Sequence, residues 1–322
     1  MSEDVKLKRQ SRFNAKDFGI LIVFIALVIV LTILSPGHSF ASINNVLVVL
    51  IQTSINGILA MGMSFVIISN GIDLSVGSII GLAGVVATHF AHPGEYPLIV
   101  PILLALVAGA VIGALNGVGI AYGGLPPFIM TLGSMTMIRG LALIVSGGMP
   151  IFNVSDEFAA ISGLKPLGIP ILAIYFIVIV VIATFILTKT VFGRQVFAVG
   201  GNEISAAVSG INVKRIRVLV YSISGLLAGM AGLLTASRTI TGAPTAGEGY
   251  EMDAIAAVVI GGVSMSGGSG RPYSVVIGAL LIAVIANGLD ILGIDANYQM
   301  VVKGVIIIVA VLMDVKGKAK KR

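Results

Sequence analysis

Cysteine and tryptophan are absent from this 322-residue chain, and charged residues are scarce. The lack of cysteine excludes disulfide bonds and thiolate chemistry, although it does not identify a compartment. The lack of tryptophan removes a residue that commonly anchors membrane helices at the lipid–water interface. Only 11% of the residues are charged, whereas 57% are hydrophobic and the mean hydropathy is +1.08. A soluble domain needs more polar surface than this, so the composition predicts a protein that lies mostly in a membrane.

The basic residues are concentrated at the two ends of the chain and in one interior interval, 189–217. If the N-terminus is placed in the cytoplasm, most of the 20 Lys and Arg residues fall on the cytoplasmic side, as is typical of membrane proteins. The net charge of +6 is therefore interpreted as a topology signal, and a nucleic-acid partner is not expected. Both termini are predicted to be cytoplasmic, which requires an even number of crossings.

Apolar segments follow one another along the chain, and several have about the 20 residues that are needed to span a bilayer. There are ten of them, at 18–34, 45–69, 76–91, 97–122, 128–145, 169–187, 216–236, 254–265, 273–289 and 298–313. The third and eighth segments are short and follow polar stretches, so we interpret them as broken or tilted helices that are covered by protein. The sequence predicts an all-α polytopic membrane protein with about ten transmembrane helices, and eight or nine helices are the alternative.

The first apolar segment has two interpretations, because it follows a run of basic residues. The apolar core of a signal peptide is about 7–15 residues long, and this segment is longer, so a retained signal-anchor helix is favoured. The predicted organisation is a cytoplasmic tail over 1–17, one transmembrane domain over 18–315 and a basic cytoplasmic tail over 316–322. The transmembrane domain includes the cytoplasmic loop at 189–217.

A short internal repeat is also present. The sequence Val-Ile-Gly-Ala-Leu occurs at 111–115 and again at 276–280, on the fourth and ninth segments, which are predicted to run in opposite directions. An inverted repeat is one interpretation, since membrane transporters are often built in this way. Chance is the alternative in a chain so rich in glycine, alanine and valine.

The interior loop contains the signals of a short helix. Asn202 is a suitable N-cap, and Glu203 follows where negative charge stabilises the positive end of a helix dipole. Ala206 and Ala207 keep this helix slim, and Gly210 can end it in the left-handed conformation. We interpret it as the attachment point of a separate soluble motor. A solvated turn is the alternative, although simple connections are usually shorter.

Polar residues within the apolar segments are candidates for a translocation path, because burying them in apolar surroundings is costly. Four residues qualify: Asn56, Asn116, Arg139 and Asn287. For each of them the alternative is a hydrogen bond between helices that only stabilises the bundle. For Asp73 we favour capping of the short third helix over contact with a substrate.

Four passages resemble the permease subunits of bacterial monosaccharide ABC importers: 56–78, 200–213, 244–270 and 287–303. The resemblance implies a type II ABC importer-like fold and a homodimer in the inner membrane. It implies a cytoplasmic ATP-binding subunit and a periplasmic sugar-binding protein as partners. ATP and magnesium belong to the ATP-binding subunit, and no cofactor is expected on this chain. Ribose or a related pentose is the substrate that the resemblance favours, although the sequence does not identify the sugar.

The same resemblance implies roles for two groups of residues. The interior helix corresponds to the coupling helix that sits in the cleft of the ATP-binding subunit. Its residues are Gly201, Asn202, Glu203, Ile204, Ser205, Ala206, Ala207, Ser209 and Gly210. Glu248, Glu251 and Asp253 are predicted to lie on the outer side, where they either dock the sugar-binding protein or cap the eighth helix.

Catalytic and ion-coupled alternatives have little support in the sequence. There is no phosphate-binding loop with its Gly-Lys-Ser or Gly-Lys-Thr, and the three histidines lack metal-ligand spacing, so neither an ATPase site nor a metal site is expected. The remaining alternative is an ion-coupled secondary transporter of a small polar solute. Such transporters usually carry carboxylates within the membrane, whereas Asp73, Asp253 and Asp290 all lie at the ends of predicted helices.

Overall fold

A computed structural model describes residues 15–319, and within this range the chain is helical. The α-helices are α1 (Ala15–Leu34), α2 (Ile43–Ile68), α3 (Val76–His89), α4 (Ile99–Ala121), α5 (Pro127–Ser146), α6 (Asp156–Gly163), α7 (Ile171–Lys189), α8 (Val191–Gly201), α9 (Glu203–Val208), α10 (Val213–Thr239), α11 (Tyr250–Ile260), α12 (Val275–Ile291) and α13 (Ala296–Ala319). The described residues form no β-strand, and an isolated bridge joins Ile151 to Gly242.

Every predicted apolar segment overlaps one helix, so the all-α polytopic fold is confirmed. Within the described range, six helices are long and apolar enough to cross a membrane. They are α2, α4, α5, α7, α10 and the unit at 272–291 that contains α12. A count of ten crossings stays a prediction, as do the boundaries of the two tails. Residues 1–14 and 320–322 of those tails lie outside the described range, and α13 continues through 316–319.

The centre of the fold is α10, which packs against α2, α3 and α4. Glycines allow its closest contact, with α4. A Cβ atom on Gly109 would overlap the carbonyl oxygen of Gly225, and one on Gly225 would overlap the carbonyl oxygen of Gly109. The four-residue spacing of Gly109 and Gly113 in α4, and of Gly225 and Gly229 in α10, therefore serves helix packing within the chain. By contrast, α5 and α7 expose apolar side chains over most of their length, as expected of helices that face lipid or another subunit.

Two of the helices that correspond to predicted apolar segments are short and begin after irregular backbone. The first is α3, which follows the turn at 69–75, and the second is α11, which follows the loop at 240–249. This confirms the prediction that the third and eighth apolar segments are broken. We call the turn at 69–75 the α3 break and the loop at 240–249 the α11 break.

The repeated pentapeptide does not occupy matching places in the two helices that carry it. The copy at 111–115 lies in the second half of α4, whereas the copy at 276–280 lies in the first turns of α12. The inverted repeat stays a prediction.

Candidate functional site

The interior polar loop folds as two helices, α8 and α9, rather than one. The predicted start of α9 is confirmed, because Oδ1 of Asn202 accepts a hydrogen bond from the backbone N–H of Ser205 at 2.9 Å. Its predicted end is also confirmed, since Gly210 has a φ of +82°. The sequence also carried a signal for α8 that we missed. Thr190 caps this helix by accepting from the backbone N–H of Gly193 at 3.1 Å.

The exposed side of α9 is apolar. Ile204 and Val208 are 78% and 84% exposed, and their four-residue spacing places them side by side on one face. Ala206 is buried against the rest of the chain, whereas Ala207 is exposed. Glu203 forms an ion pair with Arg217 of α10, which attaches the start of α9 to a central helix.

The end of α8 packs directly onto the end of α2, next to the α3 break. A Cβ atom on Gly200 would overlap the carbonyl oxygen of Ile68, the last residue of α2. That same oxygen accepts a hydrogen bond from the backbone N–H of Gly268 at 2.8 Å, in the loop that follows α11. The residues just before α9 therefore contact both the end of α2 and the segment that leads from α11 to α12.

The α3 break is held by a buried network of neutral donors around Asp73. Its Oδ1 accepts from the backbone N–H of Ser75 at 3.1 Å and from the Ser75 hydroxyl at 2.6 Å. Its Oδ2 accepts from the Ser224 hydroxyl of α10 at 2.9 Å. Asn116 of α4 donates to the Ser75 hydroxyl at 2.8 Å. Asp73 and Ser75 are fully buried, and Asp73 binds the turn that precedes α3. The N-cap residue of α3 is Ser75, which makes no side-chain capping hydrogen bond, so capping by Asp73 stays a prediction.

This network also shows where one predicted path residue lies. Asn116 is buried and bonded within the α3 break, so in this conformation it joins α4 to the start of α3. The hydroxyl of Tyr221, on α10, donates to the carbonyl oxygen of Ile72 at 3.0 Å and fixes the same turn from another side.

The α11 break is held by a cation. Arg139, in the interior of α5, donates through Nη1 to the carbonyl oxygens of Pro244 and Ala246, the latter at 3.0 Å. Its Nη2 donates to the carbonyl oxygen of Gly77 at 3.3 Å. The guanidinium therefore joins three elements, namely α5, the loop before α11 and the first turn of α3. The loop therefore packs beside the interior of a helix that is long and apolar enough to cross a membrane.

Small residues on α3 make room for this arrangement. A Cβ atom on Gly81 would lie 2.6 Å from both Nη1 of Arg139 and the carbonyl oxygen of Pro244. One on Gly77 would overlap Oε2 of Glu251 and would lie 2.5 Å from the carbonyl oxygen of Gly247. The two glycines therefore let the loop and its arginine approach the α3 backbone.

The acidic residues at the end of the α11 break and in the first turn of α11 differ in exposure. Glu251 and Asp253 are buried, at 7% and 3% exposed, whereas Glu248 is exposed. Oδ2 of Asp253 accepts from Nζ of Lys303, on α13, at 2.8 Å, and Oδ1 of Asp253 is buried without a hydrogen-bond partner. Docking of the sugar-binding protein on these residues stays a prediction, and in this conformation only Glu248 of the three is open to a partner.

The remaining predicted path residues lie apart from this loop in sequence. Asn56 is half-buried within α2, and Asn287 is buried on α12 with its Oδ1 lacking a hydrogen-bond partner. Lys303 was missed by the sequence interpretation, although its position inside the last apolar segment was a signal. No group of three or more His, Cys, Asp or Glu side chains that could hold a metal ion is found among the residues described.

Comparison with known proteins identifies relatives along nearly the whole chain. Residues 45–311 match the model of the family described as "branched-chain amino acid transport system / permease component". The ribose import permease protein RbsC of Escherichia coli (strain K12) is 43% identical over 300 residues, 92% of this chain and 92% of the relative. The protein of that name in Bacillus subtilis (strain 168) is 45% identical, over 91% of each chain.

A relative named for another sugar is also similar. The D-allose transport system permease protein AlsC of Escherichia coli (strain K12) is 38% identical over 92% of this chain and 91% of the relative. No solved structure matches the chain.

Proposed function

This chain belongs to the branched-chain amino acid transport system / permease component family. We propose that it carries a sugar across the bacterial inner membrane. It is the permease subunit of an ABC importer, a transport component and not itself an enzyme, and its substrate is ribose or a related sugar. The observation that carries the proposal is the 43–45% identity to ribose import permeases over nine-tenths of the chain. The helical, strongly apolar fold is what such a subunit requires.

We propose that α9 is the surface gripped by the ATP-binding subunit. The exposed pair Ile204 and Val208 supplies an apolar ridge that is costly to leave in water and well shaped for a groove. The Glu203–Arg217 ion pair supports this role, because it links α9 to α10 and so passes force from the partner to the central helix. ATP and magnesium are bound by the partner subunit in this scheme.

The contacts of α8 suggest a route for that force. Gly200 packs on Ile68, and Gly268 is bonded to the same residue, so a shift of α9 acts on the ends of α2 and α11 together. We propose that this movement opens and closes a path near the α11 break, with Arg139 as the predicted path residue closest to it. Asn56 and Asn287 stay candidates for its wall.

The assembly that we propose has two copies of this chain, each with ten membrane crossings and with both termini in the cytoplasm. The exposed apolar faces of α5 and α13 support a second copy, and a sugar-binding protein delivers substrate from the periplasm.

Reconstitution into liposomes tests the proposal. We expect no uptake of radiolabelled ribose by the chain alone under a proton or sodium gradient. We expect ATP-driven uptake when the ATP-binding subunit and the sugar-binding protein are added. Gradient-driven uptake by the chain alone would instead support the ion-coupled secondary transporter.

A substitution on α9 tests the grip. Ile204→Asp places a charge in the apolar ridge and should abolish co-purification with the ATP-binding subunit. Val191→Asp is the matched control, because Val191 is an exposed apolar residue of the neighbouring α8. Equal loss in both variants, or none in either, would contradict the role proposed for α9.

A further inference from the structure

The loop that leads into α11 carries two exposed polar side chains at membrane depth. Thr245 and Glu248 are both exposed, and they flank Ala246, whose carbonyl oxygen binds Arg139. Arg139 lies inside α5, a helix of 20 residues that is apolar enough to span a membrane. Glu248 therefore lies in a loop that contacts the interior of α5 on one side of that helix. The opposite side of α5 exposes apolar side chains to lipid or to a second subunit.

A carboxylate at this depth has few acceptable surroundings. Ionised side chains within membrane segments almost always face a water-filled cavity or a partner of opposite charge, and irregular backbone does not face lipid. Arg139 is the nearby cation, and it experiences the negative charge of both Glu248 and Glu251. Nη1 and Nη2 of Arg139 donate to carbonyl oxygens and not to Glu248. The exposed carboxylate of Glu248 is therefore open to water or a polar solute.

The loop also holds these side chains in a fixed position. The backbone N–H of Glu248 donates to the carbonyl oxygen of Thr245 at 3.3 Å, which closes a tight turn between the two. Gly247 and Gly249, on either side of Glu248, have φ values of +76° and +80°, which favour glycine. In this conformation Arg139 pins the turn to α3, so Thr245 and Glu248 project together from the loop.

We propose that Glu248 and Thr245 form a sugar-contacting subsite on the translocation path. The Glu248 carboxylate accepts hydrogen bonds from neighbouring hydroxyl groups of a monosaccharide, and the Thr245 hydroxyl both donates and accepts. Arg139 is the positioning residue that holds the loop. The subsite rests on the proposed function, because it has a role only if this chain moves a sugar.

The absence of cysteine from the chain gives a direct test of water access. Glu248→Cys and Thr245→Cys each introduce a unique thiol, and Val181→Cys introduces one on the exposed apolar face of α7. In the assembled transporter, we expect a water-soluble methanethiosulfonate reagent to label positions 245 and 248 on the order of tenfold faster than position 181, because the thiolate must form in water. We expect ribose delivered by the sugar-binding protein to slow labelling at 245 and 248. Equal labelling of all three positions would overturn the subsite, and so would the absence of any protection by ribose.

A transport assay tests the contact separately from the fold. For Glu248→Ala we expect roughly tenfold less ribose moved per ATP hydrolysed, as for the loss of a hydrogen bond to a charged group. ATP hydrolysis stimulated by the sugar-binding protein should persist. Glu157→Ala is the control, because Glu157 is an exposed acid on α6.

The outcomes distinguish the two proposals. If the unaltered complex moves no ribose, the proposed function fails. If it moves ribose and Glu248→Ala moves as much, the subsite alone fails. If Glu248→Ala separates the two copies on size-exclusion chromatography, the loop is a subunit contact and the subsite is overturned.

Discussion

The α3 break and the α11 break are alike in the backbone and opposite in their chemistry. Each precedes a short helix and has a buried aspartate nearby: Asp73 lies within the α3 break, and Asp253 lies in the first turn of α11. Asp73 is bound by hydroxyl and backbone N–H groups, and both of its oxygens have partners. Asp253 is bound by a lysine from the last helix, and one of its oxygens has no partner.

The difference indicates different roles. The neutral network at Asp73 joins α3, α4 and α10 in the centre of the fold, and such fully satisfied networks make a structure rigid. The α11 break instead has exposed polar side chains and is held by a cation from α5, while a cation from α13 binds the first turn of α11. We therefore interpret the α3 break as a fixed joint and the α11 break as the part that works during transport.

The largest effect is expected at Asp73. Asp73→Ala leaves the Ser75 and Ser224 donors without their acceptor in a buried site, and we expect a loss of about 3 kcal/mol in the free energy of unfolding. Thermal unfolding of the purified chain in detergent measures this. Asp73→Asn keeps one acceptor oxygen and should lose less. An unchanged midpoint for Asp73→Ala would show that the network does not fix the joint.

A smaller effect on stability is expected where the first turn of α3 contacts the α11 break. Gly77→Ala places a Cβ atom against Glu251 and the carbonyl oxygen of Gly247, so the loop must move, at about 2 kcal/mol. Gly140→Ala is the control, because a Cβ atom on Gly140 of α5 would have no neighbour within 4 Å. We expect ribose uptake to be lost in the first variant and kept in the second. Equal ribose uptake by both variants would show that transport does not depend on the position of this loop.

The smallest effect on stability is expected at Lys303, which is 28% exposed. Lys303→Met leaves Asp253 buried without its cation, and we expect a loss of about 1 kcal/mol. Adding Asp253→Asn removes the buried charge, so the double variant should be more stable than Lys303→Met alone. A double-mutant cycle of unfolding free energies measures the coupling. Additive losses would mean that the ion pair does not join α13 to α11.

Local signals in the sequence were sufficient for the helices and their ends. The cap at Asn202 involves residues three apart, and the left-handed end at Gly210 needs only one residue, so both could be predicted. The α3 break could also be predicted, because Asp73 lies only three residues before the first residue of α3. The same reasoning missed α8, whose cap at Thr190 directly follows an apolar helix.

Contacts between distant segments could not be predicted. Arg139 was identified as unusual, but its acceptors at Pro244 and Ala246 lie more than one hundred positions away and are carbonyl groups that every residue possesses. The burial of Glu251 and Asp253 depends in the same way on α3 and α13 packing around α11. Their charge suggested a docking role at the surface for Glu251 and Asp253. The packing that buries them could not be predicted from the sequence.

Hydrogen–deuterium exchange of the assembled transporter, with and without ATP, tests the contrast between the two breaks most directly. Amides in a fixed joint exchange slowly, whereas those in a working loop open more readily and respond to the partner. We predict slow exchange at 70–76 that ATP leaves unchanged, together with faster exchange at 244–253 that ATP alters. Equal protection of the two segments, or a response to ATP at 70–76 alone, would contradict this account.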